Sequence, residues 1–147
     1  MADLYFWLKF GHLAGLAVFL LGHGISAGCS YGLRDRPPAA AARALLRLSQ
    51  WSYRVTYPGL LLLIVTGVWM GFAGGWWGRG WIWAGIAVLV ALFVGMGILS
   101  VPFHRARAAA DDVALDEQLA RARPHLISWI GALGLLGLIF LMVFKPF

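Results

Sequence analysis

Four long apolar segments constrain this chain more than any other feature of its sequence. They cover about residues 4–31, 57–73, 81–101 and 126–144, and as helices they are long enough to cross a hydrocarbon core of about 30 Å. Only 12% of the 147 residues are charged, whereas soluble domains carry about 25%. We therefore predict one all-α domain over residues 1–147, an integral membrane protein with four transmembrane helices.

The distribution of basic residues predicts the direction of the crossings. The connections after the first and third segments are rich in arginine, whereas the other side of the membrane receives only Lys9, Arg79 and Lys145. The positive-inside rule assigns the arginine-rich connections to the cytoplasm, and hence both termini and the turn over residues 74–80 to the outside. Short outer connections predict an up-down four-helix bundle, which we expect in a bacterial cytoplasmic (inner) membrane.

An amphipathic segment is predicted in the cytoplasm before the second crossing, because its arginines share roughly one helical face and leucines cover much of the rest. It either runs continuously into the crossing or meets a kink or fresh start near Pro58. The formal charge of +6 does not indicate nucleic-acid binding, since the basic residues are not part of a surface that combines aromatic and basic side chains. The arginines predicted to face lipid are Arg43, Arg47, Arg54, Arg105 and Arg107.

Two histidines interrupt the first apolar segment, His12 and His23. Their spacing is close to three helical turns, so they share a face and lie roughly 16 Å apart along the axis. A neutral imidazole at membrane depth needs a hydrogen bond, a metal or water. A second stripe, Gly24, Gly28 and Gly32, is predicted to allow close helix approach within the bundle or in a homodimer.

Ligation of haem iron or copper is the sharper interpretation of the histidines, because imidazole is the commonest metal ligand and bundle cores hold such sites. Met96 is predicted to lie level with His23, and Met70 near the level of His12. Methionine pairs with histidine in some cytochromes and binds copper(I). The candidate cofactor ligands are therefore His12, His23, Met96 and Met70, with haem b preferred to copper. The alternative is that the histidines are hydrogen-bonded within the bundle and the methionines only pack.

No acidic residue falls inside a predicted crossing, which disfavours a proton-driven carrier. The GxGxxG, CxxC-pair and HExxH motifs are absent, so the sequence leans against an enzyme without deciding the question, and it names no catalytic reaction or catalytic residue. His104 and His125 close the same cytoplasmic loop, and we expect them at headgroup level, about 12 Å below His23. Three functions stay open: a haem protein in electron transfer or haem handling, a cofactor-free accessory or assembly subunit of a larger membrane complex, and copper binding or transport.

Three motifs resemble those of known membrane families: the opening of the first helix over residues 5–12, the turn over residues 74–81, and the ending over residues 141–146. The chain resembles a bacterial family of four-helix membrane proteins, domain of unknown function 2269. The aromatic-Leu-Lys-aromatic-x-His opening also looks like that of HemJ-type protoporphyrinogen oxidases and copper-resistance D membrane proteins. The HemJ-type resemblance implies a role with haem for His12.

Overall fold

The computed structural model describes residues 2–147, and over that range the chain is helical and contains no strand. Four of its helices, α1, α2, α3 and α5, are long and apolar enough to cross a membrane. The prediction of an all-α protein with four candidate crossings is confirmed. The elements in chain order are α1 (Ala2–Gly32), α2 (Ala39–Ala73), a 3-10 turn (Trp76–Gly78), α3 (Gly80–Arg107), α4 (Asp112–Arg121) and α5 (Pro124–Phe144).

The four long helices form a ring in chain order, as expected for an up-down bundle. Helix α1 contacts α2 and α5, and α3 contacts α5 and α2. Contacts are dense between α1 and α2, which we call the first helix pair, and between α3 and α5, which we call the second. They are sparser along the two seams, α1/α5 and α2/α3, where the pairs meet. A cofactor in the bundle core would lie between these pairs.

The first helix pair is close because glycines remove side chains from the contact. A Cβ atom on Gly15 would lie 2.9 Å from the backbone nitrogen of Leu63, and one on Gly22 would lie 2.6 Å from that of Thr56. Gly24 and Gly28, by contrast, face open space, with no atom within 4 Å of such a Cβ. The close approach is therefore made by Gly15 and Gly22, and Gly24 and Gly28 take no part in it.

Helix α2 runs without a break through Pro58. The predicted amphipathic segment and second crossing are thus one helix, without the fresh start that was one of two expectations. Proline deletes one backbone N–H from the helical ladder, and membrane helices tolerate this when a neighbouring helix packs over the site. Gly59 supplies such a contact, since its backbone meets that of Phe19 on α1.

The main hydrophobic core lies at one end of the bundle, beside α4, which we call the α4 end. Leu46, Phe103 and Leu115 are 2–4% exposed there and belong to one buried cluster. Burying one such side chain stabilises the fold by about 1.5–3 kcal/mol. Asp111 caps the N-terminus of α4, where its carboxylate accepts a hydrogen bond of 2.7 Å from the backbone N–H of Ala114.

The opposite end carries the tight turn predicted between the second and third crossings. Gly75 has a left-handed backbone, with φ of 64°, which favours glycine at that position. The Lys145 ammonium lies 4.1 Å from the centre of the Trp76 ring, within the range of a cation–π contact. The end of the chain therefore packs against this turn.

Candidate functional site

His12 lies between α1 and α2 and is hydrogen-bonded to the first helix pair. Its Nδ1 is 3.0 Å from the carbonyl oxygen of Leu63 and 3.2 Å from the hydroxyl of Thr66. A carbonyl only accepts, so Nδ1 carries the proton and donates it. The imidazole edge also rests on Gly67, where a Cβ atom would lie 3.1 Å from Cε1.

This bonding leaves Nε2 of His12 as the unprotonated nitrogen. A backbone bond at Nδ1 is what a structural histidine in a membrane bundle requires. A histidine that binds metal through Nε2 usually makes such a hydrogen bond at Nδ1 as well, because the bond fixes the tautomer and the orientation of the ring. The Nδ1 contact alone is consistent with both roles.

His23 lies in a different environment, on the side of α1 that meets the second helix pair. Its ring stacks on Phe19 at 5.5 Å with an interplanar angle of 13°. A Cβ atom on Gly131 of α5 would lie 3.1 Å from Nε2 of His23 and 3.5 Å from the methyl carbon of Met96 on α3. The structure therefore brings Met96 to the same point as His23, where the sequence predicted them to lie level.

No hydrogen bond to either nitrogen of His23 is found among residues 2–147. Three helices converge on this imidazole, α1 through its own backbone, α5 through Gly131 and α3 through Met96. A half-buried imidazole without a bonded partner is costly in an apolar interior. His23 is consequently the histidine whose surroundings leave a role for a ligand.

The other candidate methionine is not brought into contact with His12. Met70 is buried on α2, one turn beyond the buried Thr66. Its position is level with the His12 contact, but the two side chains share no hydrogen bond or ring contact in the described chain. Met142 packs elsewhere, with its methyl carbon 3.4 Å from the Cβ position of Gly85 on α3.

The predicted lipid-facing arginines divide into two groups. Arg47, Arg54 and Arg105 are exposed. Arg43 and Arg107 are half-buried and place their donors inside the protein. Arg43 donates to the carbonyl of Ala109 at 3.2 Å and pairs with Asp112 at 2.9 Å. Arg43 therefore connects α2 to the start of α4. Arg107 connects helices at the same end of the bundle, as described next.

Arg107 forms the centre of a polar network that sequence reasoning missed. From α3 it donates to α2 at the carbonyl of Leu46, at 3.3 Å, and at the hydroxyl of Ser49, at 3.1 Å. Ser49 also shares a hydrogen bond of 3.2 Å with Ser26 of α1. The available signal was the spacing of Ser49 from Leu46, which places a small polar side chain on the buried face of α2.

His104 and His125 are exposed at the α4 end. His104 lies 3.1 Å from Arg107, which donates to its Nδ1. No contact between His104 and His125 is found in the described range. Within that range there is also no group of three or more His, Cys, Asp or Glu side chains placed to hold a metal ion.

Two cavities open at the ends of the bundle. One, of about 200 Å³, is lined by Trp76, Arg79, Trp81, Lys145 and Phe147 at the tryptophan turn. The other, of about 120 Å³, lies at the α4 end and is lined by Arg43, Leu46, Arg47, Gln50, Ala106 and Arg107. Neither cavity is lined by His12 or His23.

Comparison with models of known families identifies the family of this chain. The model of a family described as a predicted integral membrane protein, DUF2269, matches residues 6–146. The chain belongs to the DUF2269 family. The resemblance to this family is confirmed, and the matched range contains α2, α3 and α5 of this DUF2269 protein in full and α1 from residue 6 onward. Neither the comparison with curated proteins nor that with solved structures gave a match.

Proposed function

We propose that this DUF2269 protein binds haem b between its two helix pairs, where His23 would hold it, for electron transfer or haem handling. The observation that carries the proposal is the convergence of His23 and Met96 on Gly131. Haem brings four nitrogen ligands of its own and takes one or two more from the protein, and His with Met is an established axial pair. Bound haem would supply one-electron exchange at its iron.

The residues fit the donor chemistry of haem, while the packing limits how it enters. A ligand of that size needs a site of about 300–1,000 Å³, and the two cavities are smaller and lie away from His23. The seams between the helix pairs are the sparsely packed parts of the bundle. In this proposal the pairs would separate along the α1/α5 seam beside His23 to admit the porphyrin.

Copper(I) is a second candidate, and it is favoured because His23 lines neither of the two cavities. Imidazole and thioether are ligands that suit copper(I), and a single ion needs far less room than a porphyrin. The same two side chains would hold it. Copper binding or transport and haem binding thus predict the same critical residues and different spectra.

The test is an absorption spectrum of detergent-purified protein made with ample haem, with a pyridine haemochrome assay and metal analysis. His23→Ala should reduce haem or copper content about tenfold or more, since it removes the proposed ligand. His12→Ala, the matched control from the same helix face, should keep at least about half, because its Nδ1 bond serves the first helix pair. Equal losses in both variants would contradict the assignment to His23.

If the wild-type protein contains neither haem nor copper, both cofactor proposals fail. The role of accessory or assembly subunit would then stand, in a homodimer or a larger membrane complex. Gly24 and Gly28 support that alternative, because their outer face on α1 has no neighbour in the described chain and small residues allow close helix contact in membranes. The proposed setting in either case is the bacterial inner membrane, with both termini outside.

A further inference from the structure

The cavity at the α4 end is a basic cleft between α2 and α3. Three of its six lining residues are arginines, Arg43, Arg47 and Arg107, and Gln50 adds an amide. Its floor is apolar, formed by the buried Leu46 and Ala106. A volume of about 120 Å³ has room for several water molecules, and hence for one tetrahedral oxyanion.

The positive charge in this cleft is only partly balanced by the protein. Among residues 2–147 only two ion pairs form, Arg34 with Asp35 and Arg43 with Asp112. Arg107 is half-buried, yet its contacts are with neutral acceptors, including Leu46 and Ser49. A partly buried cation without an opposite charge is unfavourable. An anion in the cleft would remove that cost.

The placement of the arginines suits one kind of anion. Arg107 is held rigidly by its contacts with α2, whereas Arg47 is exposed and has no ion pair in the described chain. Arg47 can bind phosphate oxygens through paired hydrogen bonds, while Arg107 adds its charge and the N–H that its contacts with Leu46, Ser49, Tyr53 and His104 leave over. We propose that this cleft binds a phosphate group, carried by an anionic phospholipid or by a soluble phosphate ester.

The position of the cleft is compatible with both sources. It opens on the sparsely packed α2/α3 seam, on the side of the membrane that the positive-inside rule assigns to the cytoplasm. Basic pockets between transmembrane helices on that side bind the headgroups of anionic lipids. The apolar floor could cover the first carbons of a lipid, and the exposed rim could admit a soluble ester. This proposal does not depend on the cofactor proposed at His23.

The experiment compares binding of phosphatidylglycerol, phosphatidylcholine and inorganic phosphate to the full chain in neutral detergent. Native mass spectrometry counts bound lipid, and the melting temperature reports phosphate. Arg47→Gln should weaken phosphatidylglycerol binding about fivefold or more. Arg54→Gln is the matched control, an exposed arginine of the same helix that lies 3.9 Å from the Trp51 ring, and should change binding less than about twofold.

The two sources give different results. If the site holds a lipid, phosphatidylglycerol binds more tightly than phosphatidylcholine, and phosphate alone has little effect. If it holds a soluble ester, phosphate raises the melting temperature of the wild type and not of Arg47→Gln, and the two lipids bind alike. Equal losses in the Arg47 and Arg54 variants would overturn the proposal, as would the absence of both effects. Arg107→Gln adds a second test if that variant folds.

Discussion

His23 of α1 and Met96 of α3 approach the same point above Gly131 of α5, although α1 and α3 are not adjacent in the ring of helices. The missing side chain of Gly131 provides the space. A Cβ atom there would lie 3.1 Å from Nε2 of His23, which is closer than most carbon atoms approach a ring. Gly131 is thus as much a part of the candidate site as the two side chains above it.

The first prediction concerns that space. Gly131→Ala should displace the His23 ring and lower cofactor content about fivefold, because small shifts of a ligand weaken metal binding strongly. The measurement is the ratio of haem or copper to protein after purification. Gly137→Ala is the control on the same helix, since Gly137 has no atom within 4 Å of its Cβ position. Equal cofactor content in the two variants would refute the importance of this space.

A second prediction tests the close contact of the first helix pair. Gly22→Ala should destabilise the protein by about 1–3 kcal/mol, because its Cβ would lie 2.6 Å from the backbone nitrogen of Thr56. Gly24→Ala, two residues away, should be neutral or stabilise by up to about 1 kcal/mol, since alanine favours helix and the site is open. Thermal unfolding in detergent measures both. Similar melting temperatures for the two variants would contradict the packing.

The third prediction is the tautomer of His12. Nitrogen NMR of protein labelled at histidine should show the proton on Nδ1, because the carbonyl of Leu63 can only accept. Thr66→Val should leave that tautomer unchanged, since it removes only the longer contact of 3.2 Å, at a cost of about 0.5–1.5 kcal/mol. A proton on Nε2 in the wild type would show that Leu63 is not the partner.

The fourth prediction addresses the network at the α4 end. Ser49→Ala should destabilise the protein by about 1.5–3 kcal/mol, because it removes an acceptor from the charged Arg107. Ser100→Ala is the control, because the Ser100 hydroxyl bonds only to the Gly97 carbonyl of its own helix. Denaturant unfolding compares the two variants. A loss in Ser100→Ala as large as that in Ser49→Ala would mean that the Arg107 contact contributes little.

The fifth prediction is the orientation of the chain. In a Cys29→Ala background, a cysteine at Gly78 should react with an impermeant maleimide added to intact spheroplasts, and a cysteine at Ala110 should react only after lysis. Gly78 and Ala110 are both exposed and lie at opposite ends of the bundle. The reverse labelling pattern would place the termini in the cytoplasm.

Much of the fold followed from local patterns. The four crossings and the tight turn at Gly75 were predictable, because hydropathy and glycine act over a few residues. The match of Met96 with His23 in depth was also predictable, since depth depends on residue count and helical rise. Their actual convergence was not, because depth says nothing about rotation of one helix around another.

The inward orientation of the half-buried Arg107 could not be predicted for a related reason. Arg105 lies two residues earlier in the same basic stretch. Counting residues from the end of the apolar segment places both arginines at the membrane edge and does not distinguish them. In the structure Arg105 is exposed, whereas Arg107 donates to Leu46 and Ser49 of α2. Which arginine turns inward depends on how α2 and α3 face each other.

The sequence by itself determined that this chain is a four-crossing membrane protein, because the apolar segments must be buried in lipid wherever the helices lie. Only the tertiary structure decided that His12 bonds within the first helix pair while His23 and Met96 approach the same point at Gly131. Both histidines lie on one face of α1, but two different neighbours cover that face along its length, α2 at His12 and α5 at His23. The physical reason is that hydrophobicity sets depth in the membrane, whereas close packing at Gly67 and Gly131 sets which partner each imidazole meets.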